Sequence, residues 1–288
     1  MDVYNMVTSR IISQLEQGCI PWKKPWASCL DGTFNRITRR PYSLLNRLLL
    51  LHDGEYATFR QWDQIGGRVK KGAKAEVVVF WKLQDKEERD NNGDIVIKKV
   101  PILRYYNVFH ISQVENVLSL IKTEDFGTSP VEKAEKTLHD YLNREHIALS
   151  VGESDRAFYS LQTDSITVPQ ITQFEHAEEY YSTVFHECGH STMIAARCNR
   201  EKESKSVFFG SEKYSKEELI AEITSAAIMN SIGLETPETF QNSAAYIQSW
   251  LNALKNDKKL IVSASGKAEK AAKYILGINE DEKEEDRL

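Results

Sequence analysis

The residues from His186 to His190 constrain this 288-residue chain more than any other segment, because they read His-Glu-Cys-Gly-His. If residues 178–199 form a helix, the two histidines lie one turn apart on one face, and both imidazoles can reach a single metal ion. Glu187 would lie beside that ion without binding it, in a position to accept a proton from a water molecule that attacks a carbonyl. The segment therefore predicts a catalytic zinc site with Glu187 as its general base.

Apolar and small residues surround this motif at mixed spacings of three and four, which is typical of a helix buried around most of its circumference. They are Tyr180, Tyr181, Val184, Phe185, Met193, Ile194 and Ala195. A buried helix rarely carries two histidines and a glutamate unless they are paired or bound to a metal ion. The alternative is a surface helix with two ordinary histidines, and the apolar surroundings favour the metal site.

A second helical pattern begins at Ser215 and supplies acidic side chains for a third ligand. A catalytic zinc ion usually takes three protein ligands. Glu218 and Glu222 are four residues apart and share one face of this helix, so the spacing allows either of them to be the third ligand. Small residues near them would let the two helices approach closely. Glu217 is expected to lie on the solvated face.

Two short strands around a turn are predicted upstream of the histidine helix, at residues 156–161 and 164–169. Pro169 ends the second strand, and because proline cannot donate to a ladder it favours an edge position. An edge strand beside the active-site helix can pair with an extended peptide and hold the scissile bond near the metal.

Charge is distributed unevenly along the chain. Residues 1–116 contain 18 Lys and Arg against 13 Asp and Glu, whereas residues 117–288 contain 19 against 29. A basic segment indicates a polyanionic partner, and a chain of this length suits two domains that each bury a core. We therefore predict an α+β protein with one domain at residues 1–122, a linker at 123–130 and a second domain at 131–288.

The basic domain contains aromatic and cationic residues in a pattern typical of single-stranded nucleic acid binding. Two tryptophans are held by two prolines and interleaved with lysines, so that the rings can stack on unpaired bases while the amines contact phosphates. Basic turn segments follow at residues 35–42 and 68–74. The alternative is that both tryptophans belong to the core and the lysines to a solvated face. The candidate DNA-binding residues are Trp22, Lys23, Lys24, Trp26, Arg39, Arg40, Tyr42, Lys70 and Lys71.

Residues 77–81 are β-branched and aromatic, and they are predicted to form a buried strand. Residues 102–109 are predicted to return as a second strand. Between them, residues 85–99 are predicted to form a charged loop, with an Asn-Asn-Gly turn at residues 91–93.

The order of these segments resembles that of the ArdC-type antirestriction proteins of plasmids and conjugative elements. The resemblance covers nearly the whole chain, from the Leu-Glu-Gln-Gly at residues 15–18 and the Pro-Trp pairs at residues 21–26 to the Glu-Glu-Leu-Ile-Ala-Glu at residues 217–222. It implies an amino-terminal domain that binds single-stranded DNA, as in some conjugative primases, and a zincin-like metallopeptidase domain. It also implies that the protein protects incoming DNA from restriction.

The helix that carries the two histidines and the later helix that carries the acidic residues resemble the corresponding helices of the gluzincin metallopeptidases. In that group a glutamate on a later helix binds zinc, and an acid four residues further on supports a ligating histidine. The resemblance implies that Glu218 is the third ligand and that Glu222 orients a histidine. Because Glu222 stands where an aspartate is usual, it also remains an alternative ligand.

Three functions are compatible with these features. One is a zinc endopeptidase that acts on a protein brought to it by DNA, such as a component of a restriction system. Another is a binding protein that coats single-stranded DNA and blocks restriction without proteolysis, with a structural or vestigial zinc site. A third is a protease that processes nucleoproteins of a mobile element. An intact Glu187 favours hydrolysis, because a structural site needs ligands but no general base.

The four cysteines show no metal-ligand or redox spacing, so we expect reduced thiols in a cytoplasmic protein. No signal peptide or membrane-spanning run is recognisable, because the leucine run at residues 48–51 is far shorter than the roughly 20 apolar residues that a span needs. We therefore expect no membrane partner.

Overall fold

The computed structural model describes residues 2–17, 20–23, 33–89, 95–121, 130–152, 156–200, 212–234 and 240–278. The helices in these ranges are α1 (Val3–Glu16), α2 (Leu44–Leu49), α3 (Phe59–Gln64), α4 (Pro130–Glu145), α5 (Ala177–Ser191), α6 (Glu212–Ile232), α7 (Phe240–Asn256) and α8 (Leu260–Leu276). The strands are β1 (Phe34–Asn35), β2 (Glu55–Ala57), β3 (Arg68–Val69), β4 (Glu76–Arg89), β5 (Ile95–His110), β6 (Val114–Glu115), β7 (Ala148–Gly152), β8 (Phe158–Ser160) and β9 (Ser165–Pro169). Short 3₁₀ turns lie at Pro21–Lys23, Ile111–Gln113 and Ile171–Gln173. The predicted α+β class is confirmed.

The amino-terminal segment is built around a four-stranded sheet in the order β1-β2-β5-β4. β1 runs parallel to β2, and the other neighbours are antiparallel. β2 pairs with β5 at Phe109 and His110, near the end of that strand. The remainder of the β4–β5 hairpin therefore continues past the sheet as a two-stranded ribbon. β3 and β6 form a second, small antiparallel sheet.

Pairing along the ribbon corrects the predicted charged loop at residues 85–99. The antiparallel register continues without a break from Glu76↔Val108 to Arg89↔Ile95, so most of that segment is strand. Charged residues in a strand at the edge of a sheet are compatible with pairing because one face is open to water. The predicted turn at residues 91–93 lies outside the described residues.

Burial along the ribbon corrects the predicted buried strand at residues 77–81. Val78 and Val79 are buried, but the side chains of Phe80 and Trp81 are 45% and 55% exposed. The sequence pattern predicted the strand correctly, but it did not predict how much of the strand is buried. The reason is that the ribbon leaves the protein interior after Val79.

The small carboxy-terminal sheet has the order β7-β9-β8. The predicted pair of strands around a turn is present as β8 and β9, which are antiparallel. The predicted edge position of the second strand is wrong, because β7 pairs with β9 in parallel on its other side. Pro169 is tolerated there because it is the last residue of the strand, where the ladder ends. The edge strand beside α5 is instead β8.

A single hydrophobic core joins the amino-terminal and carboxy-terminal segments. Val7, Ile11 and Leu15 on α1 lie in the same buried cluster as residues of α6, α7 and α8. The Thr8 hydroxyl donates to the carbonyl of Lys258 at 2.7 Å, which adds a polar contact between the segments. Most of the predicted linker, residues 123–130, lies outside the described residues, and the predicted domain limits stay a prediction.

Cys188 and Cys198 are buried, whereas Cys19 and Cys29 lie outside the described residues. None of the helices in the described ranges combines the length and the apolar character needed to cross a lipid bilayer.

α5 and α6 pack unusually closely at Gly189. A Cβ atom added at Gly189 would lie 3.1 Å from the Cα atom of Ala221, which is closer than ordinary van der Waals contact. The Ser225 hydroxyl donates to the carbonyl of Ser182 at 2.7 Å further along the same interface. The predicted close approach of the two helices is therefore present, and it depends on small residues on both sides.

We expect Gly189→Ala to destabilise the protein by about 1–3 kcal/mol, because the new methyl group must push the backbone of α6 away. Gly266→Ala is the matched control, since Gly266 also lies inside a helix and a Cβ atom there meets nothing within 4 Å. The control should stabilise the protein by about 0.5–1 kcal/mol through helix propensity alone. Denaturant unfolding of both variants measures the difference, and equal stability of the two would contradict the tight contact.

Candidate functional site

The two histidines of the motif lie on the face of α5 that packs against α6. They are one helical turn apart, and their ring centroids are 4.7 Å apart with an interplanar angle of 80°. The Nε2 atoms of His186 and His190 lie 3.0 Å from each other. α5 therefore aims both Nε2 atoms at one point in the helix interface, as the four-residue spacing predicts.

α6 presents Glu218 to the same point. One carboxylate oxygen of Glu218 lies 3.4 Å from His186 Nε2 and the other lies 3.2 Å from His190 Nε2. One ligand atom from each of the three residues lies within 4.8 Å of the others. The structure thus brings together the three residues predicted to bind a metal.

The donor set fits a bound metal ion of the size of zinc. Ligand atoms about 2.0–2.1 Å from a tetrahedral ion lie about 3.3 Å apart. The separations of 3.0, 3.2 and 3.4 Å among the Nε2 atoms and the Glu218 oxygens are close to that value. Two imidazoles and one carboxylate also form a donor set that leaves a coordination position open for chemistry.

A second layer of carboxylates faces the outer nitrogens of the two imidazoles. Glu222 Oε1 lies 3.7 Å from His186 Nδ1, and Glu217 Oε1 lies 3.9 Å from His190 Nδ1. A carboxylate at the outer nitrogen fixes the tautomer and orientation of a ligating histidine. Glu218 is the acid whose oxygens face both Nε2 atoms, whereas Glu222 and Glu217 each face the outer nitrogen of one histidine.

The position of Glu217 corrects the prediction that it faces solvent. Its side chain is buried and forms an ion pair with Arg200, whose Nη2 atom lies 2.7 Å from Glu217 Oε1. Arg200 also donates to the carbonyl of Gly189 at 3.1 Å and to the hydroxyl of Thr192 at 2.9 Å. Sequence spacing missed Glu217 because its burial depends on Arg200, which comes from the segment after α5. The only signal was the acidic pair at residues 217 and 218.

The end of α5 is held by a second buried arginine. Arg197 donates to the carbonyl of Ser191 at 2.8 Å and to both carboxylate oxygens of Asp164 at 2.8 and 2.7 Å. Its Nε atom donates to Glu145 at 3.1 Å. Cations at a helix C-terminus interact favourably with the helix dipole, so Arg197 stabilises the helix end that carries the motif.

The cluster of carboxylates shifts the pKa values of the histidines. Burial alone lowers the pKa of His190, but the carboxylates of Glu217 and Glu218 outweigh burial and raise the pKa to about 10. Burial also lowers the pKa of His186, but Glu218 raises it, and the net shift is upward. Burial raises the pKa of Glu218, but hydrogen bonds from the two histidines outweigh it and hold the pKa far below its ordinary value. The site therefore favours positive charge between these residues.

Glu187 follows His186 directly on α5. Its side chain is buried, and its charge contributes to the raised pKa of His190. The ligand cluster of His186, His190 and Glu218 does not include it. A buried carboxylate next to a metal site is suited to move a proton.

Comparison with known proteins identifies the family of the chain. Residues 136–267 match a family described as a zincin-like metallopeptidase, and residues 1–109 match the N-terminal domain of the anti-restriction factor ArdC. The metal-free crystal structure of the antirestriction protein ArdC from the R388 plasmid has a TM-score of 0.75 and 34% sequence identity, covering 96% of this chain and 97% of that one. This chain belongs to the ArdC family of antirestriction proteins. The resemblance stated from the sequence is confirmed.

Further relatives of this ArdC-family chain extend the comparison. An Mn(II)-bound structure of the R388 protein is 32% identical, with a TM-score of 0.75, and covers 96% of this chain and 98% of that one. An uncharacterized protein, y4eC, of Sinorhizobium fredii is 31% identical over 95% of this chain and 91% of its own length. Two DNA primases TraC of Escherichia coli are 32% and 30% identical over 98% of this chain. The chain spans only 28% and 20% of the length of these primases.

Two of the aromatic residues predicted to bind DNA are buried in this ArdC-family structure. Trp22 is 2% exposed, and its ring meets that of Trp250 edge-on at a centroid distance of 5.1 Å. Tyr42 is also buried, next to Tyr56, and its hydroxyl accepts a hydrogen bond from Asn35. These rings cannot stack on a base in this conformation, so the prediction for both is corrected in favour of a role in the core.

The cations predicted to contact DNA have different surroundings. Arg39, Arg40, Lys70 and Lys71 are exposed. Lys70 donates to the carbonyl of Ser112 at 2.9 Å. Trp26, Lys24 and the side chain of Lys23 lie outside the described residues, so their roles stay predictions.

The geometry predicts a clear ranking of glutamate variants for metal binding. Glu218→Ala should lose the metal, because it removes one of three ligands. Glu222→Ala and Glu217→Ala should weaken binding by about 10–100-fold, because each removes the support of one histidine. Isothermal titration of the metal-free variants with Zn²⁺ measures the ranking.

Glu132→Ala, which removes an exposed glutamate of α4, is the matched control for the loss of one negative charge. It should leave zinc affinity unchanged. Retention of zinc by Glu218→Ala together with its loss in Glu222→Ala would reverse the roles of those two residues.

Proposed function

We propose that this chain is an antirestriction protein that binds single-stranded DNA and carries a zinc-dependent peptidase site. The observation that carries the peptidase part is the ligand cluster of His186, His190 and Glu218, with Glu187 buried on the same helix directly after His186. The family of the amino-terminal segment supports the DNA-binding part. A plasmid or conjugative element is the proposed source, and the cytoplasm the proposed location, because restriction acts on DNA entering the cell.

Zinc is the metal that we propose for this site. A site with two imidazoles and one carboxylate binds zinc more tightly than manganese at equal availability, according to the general order of divalent metal affinities. The Mn(II)-bound structure belongs to the R388 protein, and it supports a divalent cation site in the family. A bound zinc ion supplies Lewis-acid polarisation of a peptide carbonyl and lowers the pKa of water.

The residues of the chain supply the remaining chemistry. Glu187 accepts the proton of the attacking water and delivers it to the leaving amine. Glu222 and Glu217 hold the imidazoles of His186 and His190 in the orientation that points Nε2 at the ion. Within the part of the chain that the structure describes, β8 is an edge strand next to α5, where an extended peptide can add as a further strand. We propose that a protein of the restriction machinery is the substrate.

A binding protein without proteolytic activity is the alternative function. Such a protein would coat single-stranded DNA and block restriction without proteolysis, and the zinc site would then be structural or vestigial. The presence of Glu187 favours the peptidase, because ligands alone suffice for a structural site.

We expect Glu187→Gln to keep its metal and fold but to lower the rate of peptide cleavage by about 10²–10⁴-fold, since an amide cannot accept the proton of water. His186→Ala, which should lose the metal, is the companion variant that separates the need for a base from the need for the ion. Antirestriction in cells is compared for the three proteins at matched levels. Full protection by Glu187→Gln without any cleavage would favour the binding-protein alternative.

We expect the full chain to bind single-stranded DNA with little sequence preference and more tightly than duplex DNA, whose base faces are covered. The full chain is required because α1 packs into the carboxy-terminal helices and residues 1–122 alone would expose that surface. The logarithm of the affinity should fall linearly with the logarithm of the salt concentration, with a slope of roughly 0.7 for each phosphate contact. Fluorescence anisotropy with matched oligonucleotides measures this, and equal, salt-independent binding to both forms would contradict it.

A further inference from the structure

The β4–β5 ribbon exposes large apolar side chains in an unusual density. Five of them are between 43% and 56% exposed: Phe80, Trp81, Leu83, Tyr105 and Tyr106. A contiguous exposed apolar surface on a protein usually marks an interaction site. Neither the candidate metal centre nor the DNA-binding residues predicted from sequence use any of these five.

The strand register divides the ribbon into two faces, because residues directly opposite each other in an antiparallel pair share a face. Phe80 is opposite Arg104, Val78 is opposite Tyr106 and Lys82 is opposite Ile102. These six residues define the Phe80 face. The adjacent positions in each strand, including Trp81, Leu83 and Tyr105, define the Trp81 face.

The two faces rest on different parts of the protein. At its inner end the Phe80 face packs on the buried cluster that contains Tyr42 and Tyr56. The Phe80 ring lies 6.2 Å from the ring of Tyr42 and 5.9 Å from that of Tyr106. The Trp81 face rests on the main core through Val79, and its Trp81 ring meets Tyr4 of α1.

The charge on the two faces is also different. Lys82 and Arg104 are exposed on the Phe80 face. Among the described side chains of that face the only carboxylate is Glu76, which is buried and accepts hydrogen bonds from the Leu51 N–H and the Tyr56 hydroxyl. On the Trp81 face, the side chains described at residues 77–83 and 101–107 include no Lys or Arg. A polyanion therefore fits the Phe80 face better.

We propose that single-stranded DNA lies on the Phe80 face, with Phe80 and Tyr106 stacking on unpaired bases and Lys82 and Arg104 contacting phosphates. Exposed aromatic rings beside cations are the chemistry by which proteins bind single strands without reading their sequence. Tyr42 contributes indirectly to this surface, because its buried ring packs against the ring of Phe80. The inference rests on the proposed binding of single-stranded DNA and assigns that binding to a surface.

The adjacent residues of the ribbon provide matched controls. Phe80→Ala and Tyr106→Ala each remove one ring from the Phe80 face, and each should weaken binding of a fluorescent oligothymidylate to the full chain by about 5- to 150-fold. Trp81→Ala and Tyr105→Ala remove equally exposed rings from the opposite face, and they should leave the affinity within about twofold of the wild type. Fluorescence anisotropy gives the affinities, and thermal unfolding checks the fold of each variant.

Three further variants separate stacking from charge and from misfolding. Phe80→Leu keeps an apolar contact with Tyr42 but has no ring, so it should bind as weakly as Phe80→Ala, while Phe80→Trp should bind as the wild type does. Arg104→Gln should reduce the salt slope by roughly 0.7, the value for one phosphate contact on a single strand. The aromatic variants should leave that slope unchanged.

The possible results distinguish a failure of this inference from a failure of the proposed function on which it rests. If the wild type binds no single-stranded DNA, the proposed DNA-binding function fails. If the wild type binds single-stranded DNA and Phe80→Leu and Tyr106→Ala bind it as tightly as the wild type does, the proposed function stands. The Phe80 face is then not the DNA-binding site. An equal loss of affinity in the Trp81→Ala and Tyr105→Ala controls would also overturn the assignment.

Discussion

The contact between α5 and α6 at Gly189 is the constraint on which the candidate metal centre depends. Because Gly189 has no side chain, the backbone of α6 at Ala221 can lie against α5. That approach brings the histidine face of one helix against the glutamate face of the other. The ligand atoms are separated by only 3.0–3.4 Å, so a retreat of either helix by the width of a methyl group would take them out of reach of one ion.

Burying so many charges between two helices costs solvation free energy, which only paired partners offset. Glu217 forms an ion pair with Arg200, and Arg200 in turn donates a hydrogen bond to the carbonyl of Gly189 near the end of α5. Glu218 has the two imidazoles, whose raised pKa values show that positive charge is favoured there. A divalent cation between the imidazoles and Glu218 would supply that positive charge.

Local spacing was sufficient to predict the residues at the centre of the site, because the helical period fixes which side chains share a face. Spacing identified His186, Glu187 and His190, and it left Glu218 and Glu222 as alternatives for the third position; the resemblance to the gluzincins favoured Glu218. Features that depend on distant parts of the chain were not predictable in this way. Trp22 is buried by Trp250, which lies more than 200 residues away in sequence. The exposure of Phe80 and the central position of β9 likewise depend on which elements cover them, and sequence periodicity does not report that.

α6 connects the two functional regions physically. Its first half carries Glu217, Glu218 and Glu222, while Ile223 and Ala227 further along line a small cavity together with Pro21 and Trp22. Glu218 and Ala227 are separated by nine residues, which is about 14 Å along a helix. The amino-terminal segment therefore packs on the same helix that carries Glu218. Since the turn at Pro21–Lys23 packs on α6 and α1 joins the same core, the amino-terminal segment contributes to holding Glu218 in place.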